Sequence, residues 1–166
     1  MKIKDIDHFV ITTGDLQTCL DFYVGILGIE YRESNGHNNL YFPGGKISIH
    51  TSKGEFQPAA LNPTYGSQDF CLIVEDDLET VEQDLMAKVI KLLTDIVERH
   101  GAHGTMRSLY VRDPDGNIVE LSNYCQNVQS CLAPEYINAP HEATALTFTC
   151  AVVIDYDLRA STFVTK

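Results

Sequence analysis

The order strand, helix, three short strands runs twice along this chain, and no single residue constrains the fold as much as that recurrence. In the first pass, Ile6-Asp7-His8-Phe9-Val10-Ile11-Thr12 has the apolar, β-branched character of a strand. Gly14-Asp15 follows as turn and N-cap. Leu16, Leu20, Phe22, Tyr23 and Leu27 then recur at helical spacing until Gly28 supplies the stop. Strands are expected at 29–34, 39–42 and 46–50, the last two joined by Pro43-Gly44-Gly45. In the second pass, 69–74 reads as a strand and Leu78, Val81, Leu85 and Met86 mark a helix. Strands are expected around 91–94, 107–112 and 118–123. Residues 53–67 carry Gly54, Pro58, Pro63 and Gly66 and read as the connecting loop. The expected class is α+β, with one domain over 1–124 built from βαβββ modules at about 4–52 and 68–124.

A repeat pairs positions. His8 on the first strand of one module corresponds to Asp69 or Phe70 in the other, and His50 on the last strand corresponds to Glu120. Glu120 follows a strong turn signal, Asp113-Pro114-Asp115-Gly116-Asn117, in which Pro presets φ and Gly accepts a left-handed conformation. Alternation places Ile118, Glu120 and Ser122 on one face of the strand and Val119 and Leu121 on the other. A glutamate there faces either water or something that requires a negative charge. If a pseudo-twofold axis brings the modules' concave sheets together, His8, His50 and Glu120 converge, and such residues are good ligands for Zn, Ni, Mn or Fe(II). Taken singly, each has a plainer reading: a half-buried strand histidine, an exposed strand end, a solvent-facing carboxylate. Their symmetric placement lifts them together.

Composition narrows the partners. A chain of 166 residues with 44% hydrophobic content can bury a core in one unit. A net charge of −11 with no Lys/Arg cluster excludes the basic face that nucleic acid needs. No apolar run approaches the ~20 residues of a membrane span, and the N-terminus lacks a signal-peptide cleavage site. Cys19, Cys71, Cys125, Cys131 and Cys150 are odd in number and scattered, as expected of reduced thiols in a cytoplasmic protein. Cys19 and Cys71 are expected to pack as small apolar residues. Residues 125–166, with Ala133-Pro134, His141 and an apolar run over 143–154, form a C-terminal extension of unknown role.

The chain resembles the vicinal oxygen chelate superfamily, which groups glyoxalase I, bleomycin resistance proteins and extradiol dioxygenases. The resemblance covers 4–124. It rests on Ile6-Asp7-His8-Phe9-Val10-Ile11 with Asp15-Leu16, on Phe22-Tyr23 before Ile26-Leu27-Gly28, and on Lys46-Ile47-Ser48-Ile49-His50. It continues in Gly66-Ser67-Gln68-Asp69-Phe70-Cys71-Leu72-Ile73 and closes with Arg112-Asp113-Pro114-Asp115-Gly116-Asn117-Ile118-Val119-Glu120-Leu121-Ser122-Asn123-Tyr124. Its nearest subgroup is that of lactoylglutathione lyase-like or virulence-associated glyoxalase-domain proteins. The resemblance implies a cupped mixed sheet around a divalent metal, with ligands from the first and last strands of each module. By position these are His8, His50 and Glu120. The fourth position holds Asp69 or Phe70 where glyoxalases have His or Gln, and Asp69 is its nearest donor.

The implied activity is that of a metal-dependent lyase or isomerase, in which the ion chelates two vicinal oxygens of a small substrate and Glu120 moves a proton. Two histidines and a carboxylate also suit an Fe(II) ring-cleaving dioxygenase, and thiol transfer to an epoxide antibiotic is a further enzymatic alternative. A metal-free drug-binding protein is the alternative of another class. The cationic residues expected near the cup are Arg99, Arg107 and Arg112. Arg99 or His103, in a glycine-rich loop over 98–104, would meet an anionic substrate group or else be solvated. Tyr110 would line the pocket or fill the core. A homodimer is expected, since relatives often build the cup between chains.

Overall fold

The computed structural model describes residues 1–125; the remainder of the expected extension, with His141 and the 143–154 run, lies outside the described residues. The elements are β1 (His8–Thr12), α1 (Leu16–Leu20), a π-helical continuation (Asp21–Ile26), β2 (Glu30–Ser34), β3 (His37–Phe42) and β4 (Gly45–His50), then β5 (Asp69–Ile73), α2 (Leu78–Ala87), β6 (Val97–Gly101), β7 (Gly104–Arg112) and β8 (Ile118–Tyr124). They form two four-stranded sheets with the same order, β1-β4-β3-β2 and β5-β8-β7-β6. In each, the first and last strands of the module pair in parallel and the other neighbours are antiparallel. The repeated plan of the sequence is thus a repeated sheet.

One face of each sheet is the core face. Leu40, Ile47 and Ile49 in the first module and Leu109, Val111, Val119 and Leu121 in the second are buried together with Phe22, Tyr23, Leu78 and Leu85. Each buried side chain of this size contributes about 1.5–3 kcal/mol. Across the seam between modules, the Phe9 and Phe70 rings meet at 4.7 Å. The opposite faces are open: along β5 it is Asp69, Cys71 and Ile73 that are exposed, and Val10 is exposed on β1.

The first helix shows how local chemistry serves this packing. Asp15 is the N-cap, its carboxylate accepting from the Thr18 N–H at 3.1 Å. The helix then widens, with Leu27 N–H bonded five residues back to the Phe22 carbonyl at 3.0 Å. The extra residue per turn lets adjacent Phe22 and Tyr23 both be buried, their rings meeting edge to face. Gly28 ends the helix at φ 72°, a conformation glycine adopts without strain.

The 113–117 turn clasps the two modules. Asp113 is buried and accepts from the Tyr23 hydroxyl at 2.7 Å and from the Asn117 amide and backbone at 2.7 and 2.8 Å. Asp115 accepts from the Gly14 N–H, and Asn117 from the Gln68 N–H, both at 2.9 Å. Gly66, at φ 62°, lies so close that a Cβ there would collide with the Asp115 carbonyl oxygen. Gly66→Ala should therefore destabilise the protein by about 2–4 kcal/mol, from the left-handed penalty and overpacking together, read as a lower denaturation midpoint.

Burial and the neighbouring Asp113 push the Tyr23 hydroxyl far above the ordinary tyrosine range. It keeps its proton when folded, whereas the unfolded chain's tyrosine ionises near pH 10. Stability from this group is therefore complete below about pH 10 and falls as pH rises beyond it. Alkaline unfolding of Tyr23→Phe should show a shallower pH dependence than that of the parent.

Three expectations need correction. Residues 91–94 are not a strand; the strand is β6, within the stretch read as a glycine-rich loop, and Ala102 and His103 connect it to β7. Cys71 is exposed rather than packed inside, while Cys19 is fully buried, its thiol pushed up to about 12 mainly by desolvation. Cys125 is disulfide-bonded, against the expectation of reduced thiols. Among the described residues, no helix is long and apolar enough to cross a membrane.

Candidate functional site

The strand registers place each predicted site residue. In the second module, Asp69 pairs with Ile118 and Cys71 with Glu120, so Asp69 stands on the open face with Glu120. Phe70 pairs with Val119 and packs against the core. Asp69, not Phe70, is thus the residue that can act beside Glu120. The two are one strand and two residues apart, about 7 Å along the strand direction.

Glu120 is half-buried and sits in a polar network. The Ser122 hydroxyl donates to its Oε1 at 3.3 Å, and Ser122 is itself bonded to Ser108 at 2.8 Å and receives the Cys71 thiol at 3.3 Å. Tyr110 is the cross-strand partner of Glu120. Its pKa is raised, chiefly by desolvation, while Arg99 lowers it and a hydrogen bond to Glu120 raises it. The hydroxyl therefore stays protonated near neutral pH, across the ladder from Glu120. Arg99 Nε donates to the same hydroxyl at 3.0 Å, and its guanidinium lies over the Tyr110 ring. Tyr110 is thus part of the open face rather than core filler.

The other predicted cations have different duties. Arg107 faces α2, where Glu79 binds it, and Arg112 Nη1 donates to the Gly116 carbonyl. His103 lies in the β6–β7 connection with its ring 5.7 Å from that of Tyr124.

In the first module, His8 pairs with Lys46, Val10 with Ser48 and Thr12 with His50, so His8, Lys46, Ser48 and His50 share the open face. His8 is about half exposed, and its Nδ1 is 2.6 Å from Asp7 Oδ1. That contact leaves Nε2 as the free donor, the arrangement usual for a metal-bound imidazole. His50 stands four residues beyond the partner of His8, about 13 Å along the strand. Two imidazoles so placed on one face do not converge on a tetrahedral ion, which departs from the expectation of a shared ligand set. The repeat, counted through the ladders, matches Glu120 with Ser48 and His50 with Ser122.

Among the described residues, no three His, Cys, Asp or Glu side chains come together as a metal site. The donor types nevertheless suit a divalent ion: a carboxylate-oriented histidine on one open face, two carboxylates on the other. A larger hollow of about 1100 Å³ follows the seam between the modules, but its walls are mainly apolar, including Ile26, Ile29, Phe70 and Val81.

This pair of modules and open faces defines a class. A model of the Glyoxalase/Bleomycin resistance protein/Dioxygenase superfamily matches residues 5–121, and the chain belongs to that family. It is 38% identical over 127 residues to virulence protein STM3117 of Salmonella typhimurium, covering 75% of this chain and 87% of that protein. The crystal structure of that protein matches with a TM-score of 0.73, over 75% of this chain and 100% of the other. Glyoxalase domain-containing protein RDO1 of Mycosarcoma maydis is 37% identical over 124 residues, 75% of this chain and 70% of that protein. A lactoylglutathione lyase from Agrobacterium tumefaciens shares 18% identity at a TM-score of 0.57, over 74% of this chain and 95% of the other, a likeness of fold alone.

Proposed function

We propose that this protein is a divalent-metal-dependent lyase or isomerase of the glyoxalase type, acting on a small oxygenated substrate, and that it works as a homodimer. The observation that carries the reading is the division of donors between two open faces. His8, with its ring oriented by Asp7, stands on one, and Glu120 and Asp69 stand on the other. A site of three or four ligands is completed when the first-module face of one chain meets the second-module face of another. The exposed Val10 and Ile73 on those faces give such an interface apolar area.

His8, Glu120 and Asp69 would hold the ion, and His50 would meet the substrate farther along the face. When bound, the ion would supply Lewis-acid stabilisation of developing oxyanion charge. Glu120 is the base that moves a proton between adjacent carbons; Ser122 donates to the carboxylate and Tyr110 stands opposite it on the neighbouring strand. Arg99 keeps the Tyr110 hydroxyl in place and presents positive charge beside it.

Metal analysis of the purified protein, taken with light scattering, tests this. A dimer carrying one Zn, Ni or Mn per chain is expected, with the metal lost in His8→Ala and Glu120→Gln and kept in His50→Ala. Unchanged metal content in the first two variants, or a monodisperse monomer, would overturn the reading. Bound Fe(II) with oxygen uptake on catechols would replace it by ring cleavage, and a dimer that binds no metal would leave the drug-binding alternative.

A further inference from the structure

We infer that the open face of the first module contains a seat for an oxyanion, the carboxylate or phosphoryl group of the substrate, and that Lys46 is the residue that holds it. The inference rests on the reading of this face as half of the active cup, and it names the substrate class. The chain has 23 acidic and 12 basic side chains, yet the hollow of about 300 Å³ on this face has no Asp or Glu in its wall. Lys46, Asn39, Ser48, His37, His50 and Phe56 form most of it, and His8 also lines it.

The neighbouring carboxylates are engaged elsewhere. Asp7 is held by His8 at 2.6 Å, and Glu30 receives two hydrogen bonds from Arg32 at 2.7 and 2.9 Å. The Lys46 ammonium, half-buried, donates to the Asn39 amide oxygen at 3.1 Å and lies 5.9 Å from the centre of the Tyr41 ring. Among the described residues it is in no ion pair. An ammonium has three donors, and an acceptor without charge leaves its own charge unmatched in a partly desolvated site.

Asn39 organises the seat. It is buried, and its amide nitrogen donates to the His37 carbonyl at 3.2 Å, which fixes the amide orientation. Its oxygen then accepts from both Lys46 Nζ and Ser48 Oγ, at 3.1 and 3.0 Å, drawing the two donors together on one wall. Phe56, from the loop after β4, closes the far side, with its ring 4.2 Å from that of His37 and 5.1 Å from that of His50. The same hollow is thus lined by two imidazoles as well as the ammonium. An unmatched ammonium among polar neighbours around a small hollow is the chemistry that recognises a carboxylate or phosphoryl oxygen.

The test uses inorganic phosphate and acetate as probes, titrated by calorimetry at low ionic strength into full-length protein stripped of metal with EDTA. Working without metal separates this inference from the metal reading. Saturable binding of at least one probe is expected, weakened about tenfold or more in Lys46→Met, in line with loss of a charge-assisted hydrogen bond. Lys46→Arg should keep most of the affinity. Lys88→Met makes the same change of net charge just beyond α2 and should bind as the parent does. Ser48→Ala, which removes only the neighbouring hydroxyl bonded to Asn39, should weaken binding less than Lys46→Met. The inference is overturned if neither probe binds the parent, or if Lys46→Met matches the parent while folded by its thermal melt. Binding of phosphate alone would place a phosphoryl group in the seat, and binding of acetate alone a carboxylate.

Discussion

Glu120→Gln should lower the affinity for Zn or Ni by more than about 100-fold, measured by competition with a chelating dye, while the thermal melt of the metal-free protein barely moves. The reasoning is geometric. Glutamine keeps the shape of the side chain and can still accept from Ser122, so the strand and its network survive. What it lacks is the negative charge that a divalent ion requires. Residues that only orient a ligand usually contribute 10–100-fold in affinity, and Tyr110→Phe should fall in that range of about 10–100-fold. A direct ligand has a larger effect. Equal losses for Glu120→Gln and Tyr110→Phe would place Glu120 outside the ligand set.

Asp113→Ala should have the largest effect on stability, about 4 kcal/mol, seen as a large fall in the urea midpoint or as failure to accumulate folded protein. The substitution removes the acceptor for the Tyr23 hydroxyl and for two Asn117 donors, and Tyr23 and Asn117 are both buried. Each orphaned donor costs about 1–3 kcal/mol in such a place. Typical domains have about 5–15 kcal/mol in total, so this single change takes away much of the margin. Asp113→Asn keeps one acceptor oxygen and should cost less. If Asp113→Ala melts like the parent, the turn is not the clasp between modules that its bonds describe.

The repeat was legible in the sequence because each element carries its own local signal. Asp15 caps, Gly28 stops, and Asp113-Pro114-Asp115-Gly116-Asn117 turns, each for reasons confined to a few residues. β6 was not legible for the opposite reason. It is the edge strand of its sheet, its middle residues Glu98, Arg99 and His100 are exposed, and Gly101 and Gly104 punctuate it like a loop. An edge strand of this composition is held by its ladder to β7 rather than by intrinsic preference. The 91–94 stretch looked more apolar but makes only a backbone bond such as Leu93 N–H to the Tyr110 carbonyl, beside β7.

The site was legible in its faces and not in its heights. Alternation correctly separates Glu120 from Val119 and Leu121, because neighbouring residues leave opposite sides of a strand. A shift of two residues preserves the face, so alternation cannot detect it, whereas a one-residue slip reverses the face. That is why His50 could be matched with Glu120 from the sequence, while the ladders match Glu120 with Ser48. Ladder pairing also resolves Asp69 against Phe70, which counting along the chain left open. Lys46 follows Gly44-Gly45 and reads in the sequence only as the start of a strand. Only the β3–β4 register shows it beside Asn39 and Tyr41.

The central claim is that His8 of one chain and Glu120 of another complete one metal site. Mixing His8→Ala and Glu120→Gln proteins, each unable to hold metal alone, and allowing subunits to exchange tests it directly. Statistical exchange makes half of the dimers mixed, each with one intact site of two, so metal content should recover to about a quarter of the parent's. No recovery, with exchange confirmed by mass spectrometry, would contradict a site shared between chains.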